Sequence, residues 1–199
     1  MRLEDAFLYL VLEAPAGEGR DAGDLCARAI RGGADAVLVR PPAGGCLARE
    51  AARAVVEACG KGDALAFVGD DPALADAVGA AGVHLGRSGP SVGLARSAAG
   101  PDCLVGVSSF SADEAALALE LGPDYLLHHG GAASAGVFAG LGGRGAGVPL
   151  FAAGIRNMEE ARATVEAGVY RLCIEPALLG PDGIEERVAD FARLIGRCV

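Results

Sequence analysis

Short apolar runs recur along this chain about every 18 to 29 residues, and nearly every one is followed by an alanine-rich stretch of helical character. The runs are Phe7 to Leu12, Ala36 to Val39, Ala64 to Val68, Gly82 to Leu85, Cys103 to Ser108, Asp124 to Leu127, Val148 to Ala152 and Tyr170 to Ile174. They are continuous rather than alternating, which is the pattern of strands covered on both faces. Eight such strands joined by helices predict a closed, parallel (β/α)8 barrel of the TIM type. In that architecture the chemistry sits on the loops leaving the strand C-termini. The rhythm therefore says where to look for function.

A chain of 199 residues suits one domain spanning residues 1–199, although such barrels usually take about 250 residues. Short loops and a trimmed helix are the expected consequence. Hydrophobic residues make up 52% of the chain, which excludes a disordered polymer. No apolar run approaches the roughly 20 residues that cross a bilayer, so no membrane partner is expected. The acidic start Met1-Arg2-Leu3-Glu4-Asp5 reads as a lead-in to a strand rather than as a signal peptide. A formal net charge of −9 argues against a nucleic-acid partner. Cys26, Cys46, Cys59, Cys103, Cys173 and Cys198 contain no CxxC pair and are scattered over helices and strands. They read as reduced thiols of a cytoplasmic protein, not as a zinc site or disulfide framework.

Helix punctuation supports the alternation. Asp71-Pro72 predicts an N-cap with proline in the first turn of a helix through Val78. Ser111 to Glu114 has capping-box spacing, Asn157 caps Met158 to Ala167, and Asp182 to Glu185 open a last amphipathic helix. One segment breaks the rhythm. Between Leu127 and Val148 the chain is glycine-rich, which predicts a sixth helix truncated or missing, with one or two turns from Ala135 to Leu141. That side of the barrel would be covered by a loop or by a partner subunit, so a homodimer using it is expected.

Several strand-end motifs stand at mutually consistent spacing. They are Arg40, Asp70 with the helix DPALADA, Gly82-Val83-His84-Leu85-Gly86, Gly106-Val107-Ser108 with Ser111, Asp124-Tyr125, and Val148-Pro149 leading into Ala153-Gly154-Ile155. On these the chain resembles the thiamine-phosphate synthase/TenI family of small (β/α)8 barrels, from about Phe7 to Leu179. Gly140 to Gly145 also looks like the GLEGRG-type segment of TenI-like members. The resemblance implies thiamin metabolism with a thiazole phosphate or related small molecule as ligand. In this family the synthase joins a thiazole phosphate to a pyrimidine diphosphate with Mg²⁺ and releases pyrophosphate. One TenI-like branch tautomerises the thiazole instead.

Against that pattern the diphosphate equipment is reduced. The family's Gln-x-Arg-x-Lys strand end reads Leu38-Val39-Arg40-Pro41-Pro42, its Asn-Asp pair reads Gly69-Asp70, and its second metal-binding aspartate is Gly89. The loop after the sixth strand has no lysine. One arginine and one carboxylate are thin support for a departing diphosphate, so Mg²⁺ is expected only if synthase activity is retained, with Asp70 as its ligand. The phosphate cradle after strands 7 and 8 reads Ala153-Gly154-Ile155 and Glu175-Pro176. A carboxylate there repels phosphate and proline supplies no N–H, although Arg156, Asn157 and the following helix N-terminus still offer an anion site.

The remaining candidates are weighed by place. His84, on strand 4, is either a hydrogen-bonded core residue or a substrate contact. His128 and His129 end strand 6, where a histidine suits acid–base work near neutral pH. His129 is the better catalytic candidate, because His128 continues the strand alternation toward the barrel wall. Arg40 would hold an anionic group. Asp70 would pair with Arg40, cap its helix or bind metal. Ser108 would contact ligand. Glu175 is either a new acid/base or the mark of a decayed site. Proton transfer by His129, His128 or Glu175 fits these residues better than diphosphate displacement. The open alternatives are a non-catalytic barrel that binds a metabolite or protein, and another phosphate-metabolite enzyme on the same fold.

Overall fold

The chain closes on itself because each apolar run becomes a strand whose two faces are used differently. The computed structural model describes residues 1–14, 19–42, 45–141, 147–179 and 183–197. Its elements are β1 (Leu8–Glu13), α1 (Gly19–Arg31), β2 (Ala36–Arg40), α2 (Arg49–Lys61), β3 (Leu65–Gly69), α3 (Pro72–Val78), β4 (Gly82–Leu85) and α4 (Val92–Ala99). They continue with β5 (Leu104–Ser109), α5 (Ala112–Glu120), β6 (Tyr125–His129), α6 (Ser134–Leu141), β7 (Leu150–Ala153), α7 (Met158–Glu166), β8 (Leu172–Ile174) and α8 (Ile184–Leu194). The strands form a closed barrel in chain order, and β8 pairs in parallel with β1. The (β/α)8 expectation holds.

In β1, Leu8, Leu10 and Leu12 turn outward onto the helices with Cys26 and Val55, while Tyr9 and Val11 turn into the barrel. A period of two thus sorts an unbroken apolar run between two cores. The inner core is aromatic. Tyr9 lies 5.5 Å from both Phe67 and Phe151, and Phe67 lies 4.9 Å from Tyr125, measured between ring centres.

The bottom of the barrel is pinned by two aspartates in equivalent places. Asp35, just before β2, accepts the N–H groups of Phe7 and Leu8, each at 2.9 Å. Asp124, just before β6, accepts the Val105 N–H at 2.7 Å and Arg96 at 3.1 Å. Each accepts backbone N–H at the start of the preceding strand, donors that would otherwise need partners.

The helix starts follow their caps. Asp71 accepts from Leu74 N at 2.9 Å, Ser111 from Glu114 N at 3.1 Å, and Asn157 from Glu160 N at 2.8 Å. Asp182, Cys198 and the glycines and arginine of 142–145 lie outside the described residues. Of the two readings of helix 6, truncated holds and missing does not. A 3-10 turn at Gly131–Ala133 leads into the eight-residue α6, whose Leu141 is buried against Ala115, Ala118 and Leu126. It is short, as α3 and α4 are, and its Val137 and Phe138 pack on the same cluster.

Gly106 shows why one motif glycine is required. It sits between His84 and Tyr125 in the ladder, and a Cβ there would overlap the Tyr125 ring. Gly106→Ala is expected to lower stability in urea unfolding by about 2–3 kcal/mol through overpacking. Gly136→Ala in α6, where an added Cβ meets nothing within 4 Å, is expected to be neutral or stabilising by up to about 1 kcal/mol. A Gly106→Ala protein as stable as the native one would refute this packing account.

Candidate functional site

The strand C-termini converge on a cavity of about 500 Å³ at the barrel mouth. Its lining includes Arg40, Asp70, His84, Ser108, His129 and Glu175, six of the residues singled out from the sequence. Arg87, Phe110, Leu38 and Leu127 share the same walls.

The polar groups form one connected row. The Tyr9 and Tyr125 hydroxyls lie 2.7 Å apart at the barrel centre, and Tyr125 Oη is 3.2 Å from His84 Nδ1. His84 Nε2 is 2.9 Å from Ser108 Oγ, which is 3.2 Å from His129 Nε2. His129 Nδ1 then faces Glu175 Oε1 at 3.9 Å. On the far side of Glu175, Arg40 Nη2 donates to Glu175 Oε2 at 3.4 Å and to Glu13 Oε1 at 3.0 Å. Arg40 and Glu13 meet because they are register partners at the ends of β2 and β1.

Burial sets the protonation of this row. The His84 side chain, only 4% exposed, is pushed down to about 3, chiefly by desolvation and then by His129 and Arg40. Desolvation also takes His129 down to about 4, helped by His128, Arg40 and Arg87. Both rings are therefore neutral at physiological pH, and the 3.9 Å approach of His129 to Glu175 is not an ion pair. Glu175 is raised by burial, with Arg40 opposing and Glu13 adding to the shift. Both tyrosines are raised well above the usual phenol range by burial and remain protonated.

His129 is held flat against Phe110, with ring centres 4.4 Å apart and planes 12° from parallel. Arg87 covers the same phenyl ring at 4.2 Å and pairs with Glu114 at 3.1 Å. Glu114 in turn accepts the Phe110 N–H at 2.8 Å, so the α5 capping box also aims the aromatic platform.

The other sequence candidates sit elsewhere. His128 does not reach the cavity: its Nδ1 bonds Ser109 Oγ at 2.9 Å, and its ring packs edge-on to Phe138. Strand alternation turns it to the helix layer, so its proposed catalytic role is withdrawn. Ala153 is buried in the inner core, and neither it nor Gly154 lines the mouth. Gly154 adopts φ +75, whereas Ala153 is not among the residues of positive φ, so alanine costs little there. Asp70 neither pairs with Arg40 nor caps α3. It holds a left-handed φ of 55, and its Oδ1 accepts the Gly86 N–H at 2.7 Å. A Cβ at Gly89 would come 2.3 Å from Asp70 Oδ1, so the two positions are adjacent and a side chain at 89 would require the Asp70 carboxylate to turn. Among the described residues no three His, Cys, Asp or Glu side chains cluster as a metal site.

The expected anion site after β7 also carries a carboxylate. Glu160 accepts the Arg156 N–H at 3.0 Å at the start of α7, and its carboxyl is held low by Arg156. After β8 the Glu175 carboxylate turns into the mouth.

A family model described as thiamine monophosphate synthase matches residues 8–130. The chain belongs to the thiamine-phosphate synthase/TenI family. A thiamine-phosphate synthase of Moorella thermoacetica is 32% identical over 186 residues, covering 87% of this chain and 88% of that protein. A bifunctional thiamine biosynthesis protein of Symbiobacterium thermophilum is 47% identical over 77 residues, but the match spans only 39% of this chain and 16% of that protein. Thiamine phosphate pyrophosphorylase from Pyrococcus furiosus superposes with a TM-score of 0.79 at 23% identity, covering 96% of this chain and 95% of that one. That likeness supports the fold.

For this family member, Glu13, Arg87, Phe110 and Tyr125 complete a site that motif reading left partial. Arg87 follows the GVHLG run directly and Phe110 follows the strand-5 serines, so their position was the only available signal. Among the described residues no helix is long and apolar enough to cross a membrane.

The buried histidines make stability depend on pH. Their folded values lie below that of a free imidazole, near 6.5, so the unfolded chain binds more protons as pH falls through about 6 to 4. Stability is expected to fall across that window, and His129→Gln to flatten the fall. Glu175 runs the other way, because a raised carboxyl favours the folded state as pH drops. Urea unfolding at stepped pH checks this. Equal slopes for native and His129→Gln proteins would contradict the assignment.

Proposed function

We propose that this chain works in thiamin metabolism on a thiazole-phosphate-type heterocycle, and that it moves a proton rather than displacing diphosphate. The observation carrying this reading is the neutral His84–Ser108–His129 row ending beside a half-buried carboxylate at the barrel mouth. Such a row donates and accepts hydrogen bonds without adding charge, which suits prototropic chemistry. Diphosphate displacement needs cations arrayed on the leaving group. Here Arg40 is already shared by Glu13 and Glu175, and Arg87 is paired with Glu114. No role is assigned to Mg²⁺, because the Asp70 carboxylate serves the Gly86 turn. The anionic end of the ligand is placed toward Arg87, whose side chain is 63% exposed at the rim.

A second reading is a non-catalytic barrel that binds a metabolite or protein. It is favoured by the Glu160 carboxylate at the start of α7, where it would repel a phosphate. A cytoplasmic setting accords with the free thiols Cys26, Cys46, Cys59, Cys103 and Cys173. A homodimer on the α5–α6 side accords with exposed Leu117 and Leu121.

Incubation with thiazole phosphate in D₂O, followed by proton NMR, tests the main reading. Ring-proton exchange or tautomer conversion is expected, with a loss of about 100-fold or more in His129→Ala. A thermal shift with thiazole phosphate but no exchange would favour the second reading. Pyrophosphate release from a pyrimidine diphosphate and thiazole phosphate with Mg²⁺, at a rate exceeding exchange, would overturn both.

A further inference from the structure

The buried end of the polar row decides which nitrogen of each histidine carries its proton. Tyr9 Oη, Tyr125 Oη and His84 Nδ1 stand in line with two contacts between them, at 2.7 and 3.2 Å. Tyr9 and Tyr125 are fully buried, and among the described residues Tyr9 Oη has no other polar partner. Each contact holds one hydrogen. The two phenols bring two, so the line is satisfied when Tyr9 donates to Tyr125, Tyr125 donates to His84, and His84 Nδ1 is bare. A proton on Nδ1 would put three hydrogens onto two contacts and strand one in an aromatic core.

His84 therefore carries its proton on Nε2 and donates it to Ser108 Oγ at 2.9 Å. The Ser108 hydroxyl hydrogen has one protein acceptor among the described residues, His129 Nε2 at 3.2 Å. That leaves the His129 proton on Nδ1, the atom facing Glu175. We propose that the buried Tyr9–Tyr125 pair sets His84 as the Nε2–H tautomer and, through Ser108, His129 as the Nδ1–H tautomer, so that His129 meets ligand as a hydrogen-bond donor and Glu175 is the general base.

Tyr9, Tyr125, His84 and Ser108 are on this view positioning residues. The row is not a proton wire, because a proton passed inward from His129 would end as the stranded hydrogen beside Tyr9. The assignment of Glu175 rests on the proton-transfer reading above. Its carboxylate removes a C–H proton of the heterocycle, and the C–H electron pair moves into the conjugated system toward a ring heteroatom. That heteroatom accepts a hydrogen bond from His129 Nδ1–H. The Glu175 carboxyl, 21% exposed at the mouth, trades that proton with solvent and returns one proton to another atom of the system. The step is a balanced isomerisation with no redox change and no leaving group.

The tautomers are readable without substrate. The chain has three histidines, so ¹⁵N-histidine labelling with His128→Gln and His129→Gln for assignment resolves all of them by two-bond ¹H–¹⁵N correlation. Near pH 7, His129 is expected as Nδ1–H, the minor form of a free imidazole side chain, and His84 as Nε2–H. In Ser108→Ala, His129 is expected to revert to mainly Nε2–H while His84 keeps its form, because the tyrosines still hold it. His129 found as Nε2–H in the native protein, or His84 as Nδ1–H, overturns the tautomer assignment. Glu175→Gln is expected to keep the His129 tautomer and to lose D₂O exchange about 1,000-fold. Retained exchange in Glu175→Gln overturns the base assignment alone. Absence of exchange in the native protein removes the proton-transfer reading and the base with it, whereas the tautomer result stands or falls independently.

Discussion

Tyr125 lying across Gly106 is the contact on which both the core and the site depend. His84, Gly106 and Tyr125 occupy one level of the ladder on three adjacent strands, β4, β5 and β6. The middle position must lack a side chain for the phenol to cross it and stack on the imidazole, with ring centres 5.6 Å apart. The same ring closes the aromatic cluster of Tyr9, Phe67 and Phe151 that fills the barrel. GVHLG, GVS and DY, the motifs that carried the family resemblance, are thus three parts of one packing unit. Their joint spacing is informative because each part fits only with the others.

Above that unit the mouth is organised by compensation rather than by positive charge. Arg40 answers two carboxylates, Glu160 holds Arg156 at the start of α7, and Asp70 is spent on a turn. Inside the rim that Arg87 occupies, what faces a ligand is directional: a neutral histidine clamped between Phe110 and Ser108, beside a carboxyl raised by burial. A low-dielectric site of this sort strengthens hydrogen bonds and penalises added charge. Family membership accordingly says more about the scaffold and ligand class than about how this mouth handles charge.

The strand positions, the caps at Asp71, Ser111 and Asn157, and the strand-end placement of Arg40, Ser108, His129 and Glu175 were legible in the sequence. These features are local: apolar continuity, capping spacing and position in a repeat. Glycine lowers helix propensity, so the sequence predicts a sixth helix truncated or missing. Burial of Leu141 and packing of Phe138 outweighed that penalty, and the helix formed. His128 and His129 were nearly equivalent as residues in a string. The pleat separated them, sending one to the helix layer and the other to the mouth. Glu13 and Phe110 escaped notice because nothing local marks a glutamate or phenylalanine as facing a cavity.

By itself the sequence determined the barrel, the family and the ring of loops where chemistry resides, since periodicity and capping act over a few residues. Only the tertiary structure decided which side chains share charge and hydrogens. Arg40 and Glu175 stand 135 positions apart, and Tyr9 and Tyr125 stand 116 apart. Closure of the sheet brings such pairs within bonding distance. Once there, burial raises the cost of every unmatched hydrogen and so turns proximity into a defined protonation pattern.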